Sequence, residues 1–161
     1  MTLLDSPPTD PPPSEIDLGV LNDVVGFRLR RIQNQLSRTF AERIGSKDLR
    51  PGGFSALALI AANPGLSQTG LSRVLGFDKA TVVAIIDCLE HLGWAERRRS
   101  SVDRRRHSLF IRDAGEEALA RLRVIAMANE DRIHAALTDA EQAQLFVLLD
   151  KIYSACFTGD V

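Results

Sequence analysis

The residues best able to do chemistry lie between Arg97 and His107, in the run RRRSSVDRRRH. Six arginines and one histidine fall within eleven residues, and Asp103 is the only acid among them. Guanidinium is a planar, permanently charged fork of donors, suited to bidentate capture of phosphate or carboxylate. The chemistry on offer is therefore anion binding. A basic cluster on its own is usually a solvated face, but here the neighbouring segments matter. Asp78 to Leu92 has helical apolar spacing, and Ser108 to Arg112 alternates like a strand. A helix, a strand, an arginine-rich tip and a returning strand make a helix with a wing, and that arrangement points to nucleic acid.

Composition supports one localised contact and not a general polycation. The 161 residues suffice for a single domain with a real core. Net charge is −1, yet residues 1–27 carry five acids and no Lys or Arg, whereas residues 94–112 carry seven arginines against Glu96 and Asp103. Other chemistry is hard to find. His91, His107 and His134 match no metal-ligand spacing, so no metal or other cofactor is expected. The chain has no G-x-S-x-G, no G-x-G-x-x-G and no phosphate loop with its lysine, so no catalytic residues are assigned and an enzyme is not expected. No basic neighbour is evident that would make Cys88 a redox sensor, and Cys156 reads as a small packing residue. Two cysteines, no apolar run of membrane-spanning length and no basic-then-apolar start lead to the expectation of a reduced cytoplasmic protein.

The elements that must position the arginines follow from periodicity. Residues 1–16, with five prolines, read as a flexible N-terminal arm. From Asp17 to Ile44 the stripe Leu21, Val25, Leu29, Ile32, Leu36, Phe40, Ile44 predicts one long helix, and residues 17–50 form a first dimerisation segment. A second helix is expected over Gly53–Ala62, stopped by Asn63-Pro64-Gly65. Ser67 caps a short helix that ends at Gly76, and Asp78 caps the next. That helix should bury Val82, Ile85, Ile86 and Leu89 and turn Ala80, Ala84, Asp87 and His91 outwards, with Lys79, Thr81 and Val83 at its N-terminal edge. Two short helices about a glycine turn are a helix-turn-helix pattern. Strands are expected at Trp94–Arg98 and Ser108–Arg112, completing a DNA-binding domain over residues 51–115. Residues 116–161 supply two more dimerisation helices, the last opened by a Thr138–Glu141 capping box. Its stripe is Leu145, Leu148, Leu149, Ile152 and Tyr153, with Phe146 alongside. The fold class expected is mainly α with a small β-hairpin wing.

The segment LSRVLGFDKATVVAIIDCLEHLGWAERRRSSVDRRRHSLFIRDAG resembles the MarR (multiple antibiotic resistance regulator) family. It has a short helix ending in Leu-Gly, then Asp-x-x-Thr-Val, Asp-x-Leu-Glu, Gly, Glu-Arg, Asp-x-Arg and a closing Ala-Gly at matching offsets. The resemblance spans about residues 20–157 and implies a homodimeric winged helix-turn-helix regulator of transcription. Such a protein is typically a repressor on a near-palindromic double-stranded operator, released by a small ligand. It implies a recognition helix in the major groove, a wing in the minor groove, Asp103 bracing the wing and Arg105 entering the groove. A narrow, A·T-rich minor groove has enhanced negative potential that favours such an insertion. The DNA-contacting set expected is Ser67, Gln68, Lys79, Ala80, Thr81, Val83, Arg97, Arg98, Arg99, Asp103, Arg104, Arg105 and Arg106. Two positions depart from the family. Ala84 stands where a polar residue is common, leaving methyl contacts and shape readout, and Arg112 stands where a threonine is usual.

For the effector, Arg28 and Arg31 are expected to form an anion clamp one helical turn apart, with Phe27 and Phe54 around the ligand body. Their other reading is a solvated helix face. The ligand expected is an anionic aromatic or acyl compound, an aromatic acid or a coenzyme A thioester. The alternative to DNA regulation is a winged-helix protein-interaction module, against which six wing arginines argue.

Overall fold

The computed structural model describes residues 15–45, 49–99 and 107–157, the side chain of Arg99 excepted. Asp103, Arg104, Arg105, Arg106 and residues 1–14 of the expected N-terminal arm lie outside the described residues. The described residues form six α-helices, α1 (Val25–Ile44), α2 (Gly53–Ala62), α3 (Gln68–Leu75), α4 (Lys79–His91), α5 (Asp113–Ala136) and α6 (Asp139–Phe157), and a small antiparallel sheet. The sheet contains β1 (Leu66–Ser67), β2 (Ala95–Arg99) and β3 (His107–Ile111), in the order β1-β3-β2. The mainly helical fold with a hairpin wing is therefore as the periodicity predicts. The chain divides into two compact units at Gln35–Leu36.

In the first unit the single helix expected from Asp17 is interrupted. Gly19–Asp23 forms a 3-10 helix, Val24 is extended (φ −96°, ψ 100°), and α1 begins at Val25. Local side chains take over backbone partners. The Asp17 carboxylate accepts from the Gly19 amide at 2.9 Å, and the Arg28 guanidinium donates to the Asn22 carbonyl at 2.8 Å. A carbonyl engaged in this way competes with continuation of the helical ladder. The expected stripe residues Leu21, Val25, Leu29 and Ile32 are exposed.

The second unit holds the core, which joins α2, α3, α4, the sheet and the first half of α5. Ala56, Leu57 and Ile60 of α2 meet Val82, Ile85, Ile86 and Leu89 of α4, the four positions predicted to face inwards. The recurrence at zero, three, four and seven sets this face, because those positions stack on one side of a helix. Gly115 sets how α5 meets the sheet: a Cβ there would stand 2.0 Å from the Trp94 carbonyl oxygen. That carbonyl accepts from the Arg112 amide at 2.9 Å, fixing the end of β3 and the start of α5 against the start of β2.

The last helix opens as predicted. The Glu141 carboxylate accepts from the Thr138 amide at 2.8 Å, and the Glu141 amide donates to Thr138 Oγ1 at 3.3 Å. Leu145 and Leu149 of its stripe are half-buried, and Phe146, Leu148, Ile152 and Tyr153 are exposed. Cys88 is half-buried, while Cys156, expected to pack, is exposed because α6 has no buried residue.

Candidate nucleic-acid interface

Four short hydrogen bonds brace the helix-turn-helix. Ser67 Oγ accepts from the Gly70 amide at 3.0 Å and opens α3. Gly76 then turns the chain at φ +67°, a conformation that costs L side chains and suits glycine. Ser72 Oγ donates to the Phe77 carbonyl at 2.7 Å across that turn. On the far side, Asp78 Oδ1 accepts from the Thr81 amide at 2.9 Å and Oδ2 from the Thr81 hydroxyl at 2.6 Å. The side-chain bond from Thr81, then the backbone bond, hold the Asp78 carboxyl below its ordinary range. A carboxylate at a helix N-terminus also opposes the positive end of the helix dipole.

The core-facing stripe of α4 dictates what faces out. Lys79, Ala80, Thr81 and Val83 are all exposed, and Ala84 is half-buried. The outward surface at the start of α4 is thus a cation, a methyl, a capped hydroxyl and a branched apolar group. It offers few bidentate donors.

Strand alternation sorts the arginines of the hairpin. In β2, Ala95 and Arg97 share a face and pair with Ile111 and Leu109, whereas Glu96 and Arg98 lie on the other, paired with Phe110 and Ser108. Ala95 and Leu109 are core residues, so Arg97 faces inwards, onto α4. Its guanidinium pairs with Asp87 at 2.7 Å and with Glu90, and Glu90 also accepts from the Arg97 amide at 2.7 Å. With the Gln68 amide turned so that its oxygen faces the guanidinium, that oxygen accepts from Arg97 Nε at 2.8 Å and Nη2 at 3.2 Å. The Val83 carbonyl lies 3.5 Å from Nη2. One side chain thus bridges α3, α4 and β2 while only 18% exposed.

On the opposite face Arg98 and Arg112 share Glu96, the latter at 3.0 Å, and the Arg98 guanidinium sits 4.3 Å from the centre of the Phe110 ring. Arg98 first, then Arg112, lower the Glu96 pKa. Arg112, unexplained from sequence, is the partner that completes this cluster. Among the expected DNA-contacting residues, the structure therefore brings Ser67, Gln68 and Arg97 into capping and bridging contacts. Lys79, Ala80, Thr81 and Val83 lie together on the open face of α4.

The ligand candidates are distributed between the two units. In the first, the Arg31 guanidinium lies over the Phe27 ring at 5.8 Å and Arg28 holds the Asn22 carbonyl. In the second, Phe54 packs on Phe40 with ring centres 5.6 Å apart. A cavity of about 330 Å³, which sequence reasoning missed, opens among Ile44, Leu49, Leu92, Trp94, Leu122 and Arg121, where Arg121 is the cation. Asn129, also missed, is buried on α5 and donates to the Leu36 carbonyl at 3.0 Å, and its Oδ1 has no partner among the described residues. Among the described residues no group of three or more His, Cys, Asp or Glu side chains could hold a metal, and no helix is long and apolar enough to cross a membrane.

Comparison with known proteins gives this geometry its family. The sequence profile described as the MarR family matches residues 48–106, from the α1–α2 connection to the residue before β3. A protein of Thauera aromatica, assigned by name to transcriptional regulation of the hcr operon, is 36% identical over 141 residues, covering 87% of this chain and 85% of that protein. This chain belongs to the MarR family. Among solved structures it is similar to the transcriptional repressor CouR bound to a 23-mer DNA duplex, with TM-score 0.76 and 34% identity over 86% of this chain and 99% of that one. It is also similar to CouR bound to p-coumaroyl-CoA, with TM-score 0.74 and 33% identity over 86% and 98% of the two chains. The chain is accordingly a DNA-binding transcriptional regulator of the winged helix-turn-helix type.

Proposed function

We propose that this regulator is a cytoplasmic homodimeric repressor that leaves its operator when it binds a small anionic aromatic or acyl ligand, either an aromatic acid or a coenzyme A thioester. The observation that carries the reading is the exposed start of α4, set by the Gly76 turn and the Asp78 cap, on a helix that Arg97 ties to the arginine-bearing strand β2. Lys79, Ala80, Thr81 and Val83 meet base edges and thymine methyls in the major groove. Arg99, Arg104, Arg105 and Arg106 are the wing's cations for phosphate and the minor groove. Asp103 braces that wing and Arg105 enters the groove.

Two-fold assembly is supported by apolar side chains that water faces on the single chain: Val25, Phe146, Ile152 and Tyr153 are each at least two-fifths exposed. A two-fold dimer reads a near-palindrome whose half-sites lie about one helical turn apart. The ligand class is supported by the relative that binds p-coumaroyl-CoA and by Arg28 and Arg31, spaced to converge on one anion. Release of DNA follows if the ligand binds better to a dimer that no longer fits the half-site spacing.

The test is a thermal-shift screen of aromatic acids and their coenzyme A thioesters, followed by operator-release titrations with any ligand that raises the melting temperature. Arg28→Ala and Arg31→Ala should blunt release and leave ligand-free DNA affinity within about twofold, a change of about 0.4 kcal/mol. Release by both variants at the parent's ligand concentrations would remove the clamp. Loss only in Arg121→Ala would move the site to the α5 cavity.

A further inference from the structure

The hairpin's charge run invites the reading that every arginine in it meets phosphate. Arg97 does not fit that reading. Alternation along β2 puts its side chain on the face shared with Ala95 and Leu109. There it lies against two carboxylates of α4, Asp87 at 2.7 Å and Glu90, and against the Gln68 oxygen of α3. The local sum of one guanidinium and two carboxylates is net negative, so this cluster offers a phosphate no attraction. Each of its nitrogens already has a protein acceptor: Nε faces Gln68, Nη1 faces Glu90 and Nη2 faces Asp87. Glu90 also takes the Arg97 amide, so the backbone of β2 is fastened to α4 together with the side chain.

We infer that Arg97 is a positioning residue of the DNA interface: it sets the angle of the wing to the recognition helix and neutralises no phosphate. The inference rests on the DNA-binding reading. It assigns the salt-dependent part of binding to the other hairpin arginines and gives Asp87, Glu90 and Gln68 a role at the interface. A planar fork is needed to reach acceptors on two helices at once. Lysine, a single point charge, keeps the charge of Arg97 and cannot reproduce that bridge.

The experiment uses the full chain and two duplexes, one selected by the parent protein from a random pool and one unselected mixed sequence. Dissociation constants are measured across a salt series for the parent, Arg97→Lys, Arg97→Ala and Glu90→Ala. All three variants should lose about tenfold on the selected duplex, within the range by which networked residues couple. Affinity for the unselected duplex and the salt slope should stay at the parent's values, a pattern that a simple loss of folded protein does not produce. Glu90→Ala is the most telling, because removing an acid near DNA strengthens binding if only charge matters. The inference is overturned if Arg97→Lys binds like the parent, if Arg97→Ala reduces the slope by about 0.9 for one lost phosphate contact, or if Glu90→Ala binds more tightly. Should Arg97→Ala fail to fold, Arg97→Lys and Glu90→Ala still decide the matter. A parent protein with no salt-dependent binding to either duplex would refute the DNA-binding reading itself, a separate result.

Discussion

Replacing Gly115 by alanine tests how the wing is fastened to the rest of the protein. An alanine Cβ would lie 2.0 Å from the Trp94 carbonyl oxygen, 2.8 Å from its carbon and 2.9 Å from Ile111 Cγ1. Ordinary contact begins near 3.4 Å, so the start of β2 and the start of α5 must separate by roughly 1.4 Å. Two of the three atoms are backbone and cannot rotate away. The separation strains the hydrogen bond from the Arg112 amide to the Trp94 carbonyl, now 2.9 Å. Overpacking costs roughly 1–3 kcal/mol and the lost bond about 1 kcal/mol, for a total of roughly 2–4 kcal/mol. For a chain of this length that is a fall of roughly 5–15 °C in melting temperature. The assay is denaturant unfolding at fixed protein concentration, read as a lower midpoint with an unchanged slope. Operator affinity should fall as well, since the base of the hairpin has moved. Stability within about 0.5 kcal/mol of the parent would mean that no close approach exists at Gly115, because surface substitutions alone stay in that range.

Leu89→Ala, on the fully buried side of α4, should cost about 2–5 kcal/mol of stability in the same assay, whereas Val83→Ala on the open side should leave stability nearly unchanged and weaken operator binding. Acid should destabilise the fold from a particular direction. Asp78, Glu96 and Glu141 all have folded pKa values lowered from 3.8 or 4.5. Each therefore stabilises the fold above its unfolded pKa and loses that contribution as pH falls through the folded one. Stability measured from pH 6 to pH 2.5 should drop chiefly below about pH 4.5, and Glu96→Gln should flatten part of that drop. Removing residues 145–161 should abolish the dimer and operator binding together in sedimentation and anisotropy measurements, and a folded, DNA-binding monomer would contradict this.

Much of the second unit was legible because local and tertiary preferences agree there. Val82, Ile85, Ile86 and Leu89 announce one buried face by spacing alone, and Ser67, Gly76 and Asp78 punctuate the two helices where the structure places its caps. The hairpin strands fall within one residue of expectation. Strand β1 was not legible, since two residues carry no periodicity and pair with β3 only through tertiary approach. The break at Val24 was hidden for another reason: apolar spacing of four, four and three continues across it, while Asp17 and Arg28 divert the backbone through side-chain bonds. The direction of Arg97 was within reach, because alternation from Ala95 places it inwards. Its acceptors Asp87 and Glu90 belong to a different element, and only the fold brings them together. The Glu96–Arg112 pair and the Asn129–Leu36 bond span 16 and 93 residues, distances at which a single sequence offers no pairing signal.

The central claim is that DNA binding and an anionic aromatic or acyl ligand oppose each other in one protein. The most direct measurement is fluorescence anisotropy of the selected duplex bound to the parent protein, titrated separately with p-coumaroyl-CoA, free p-coumarate and coenzyme A. Tight, salt-sensitive binding to the selected duplex is expected, with release by the thioester or the free acid and a much weaker effect of coenzyme A alone. A duplex that stays bound at saturating concentrations of all three, and of the other acids in the thermal-shift screen, would contradict it.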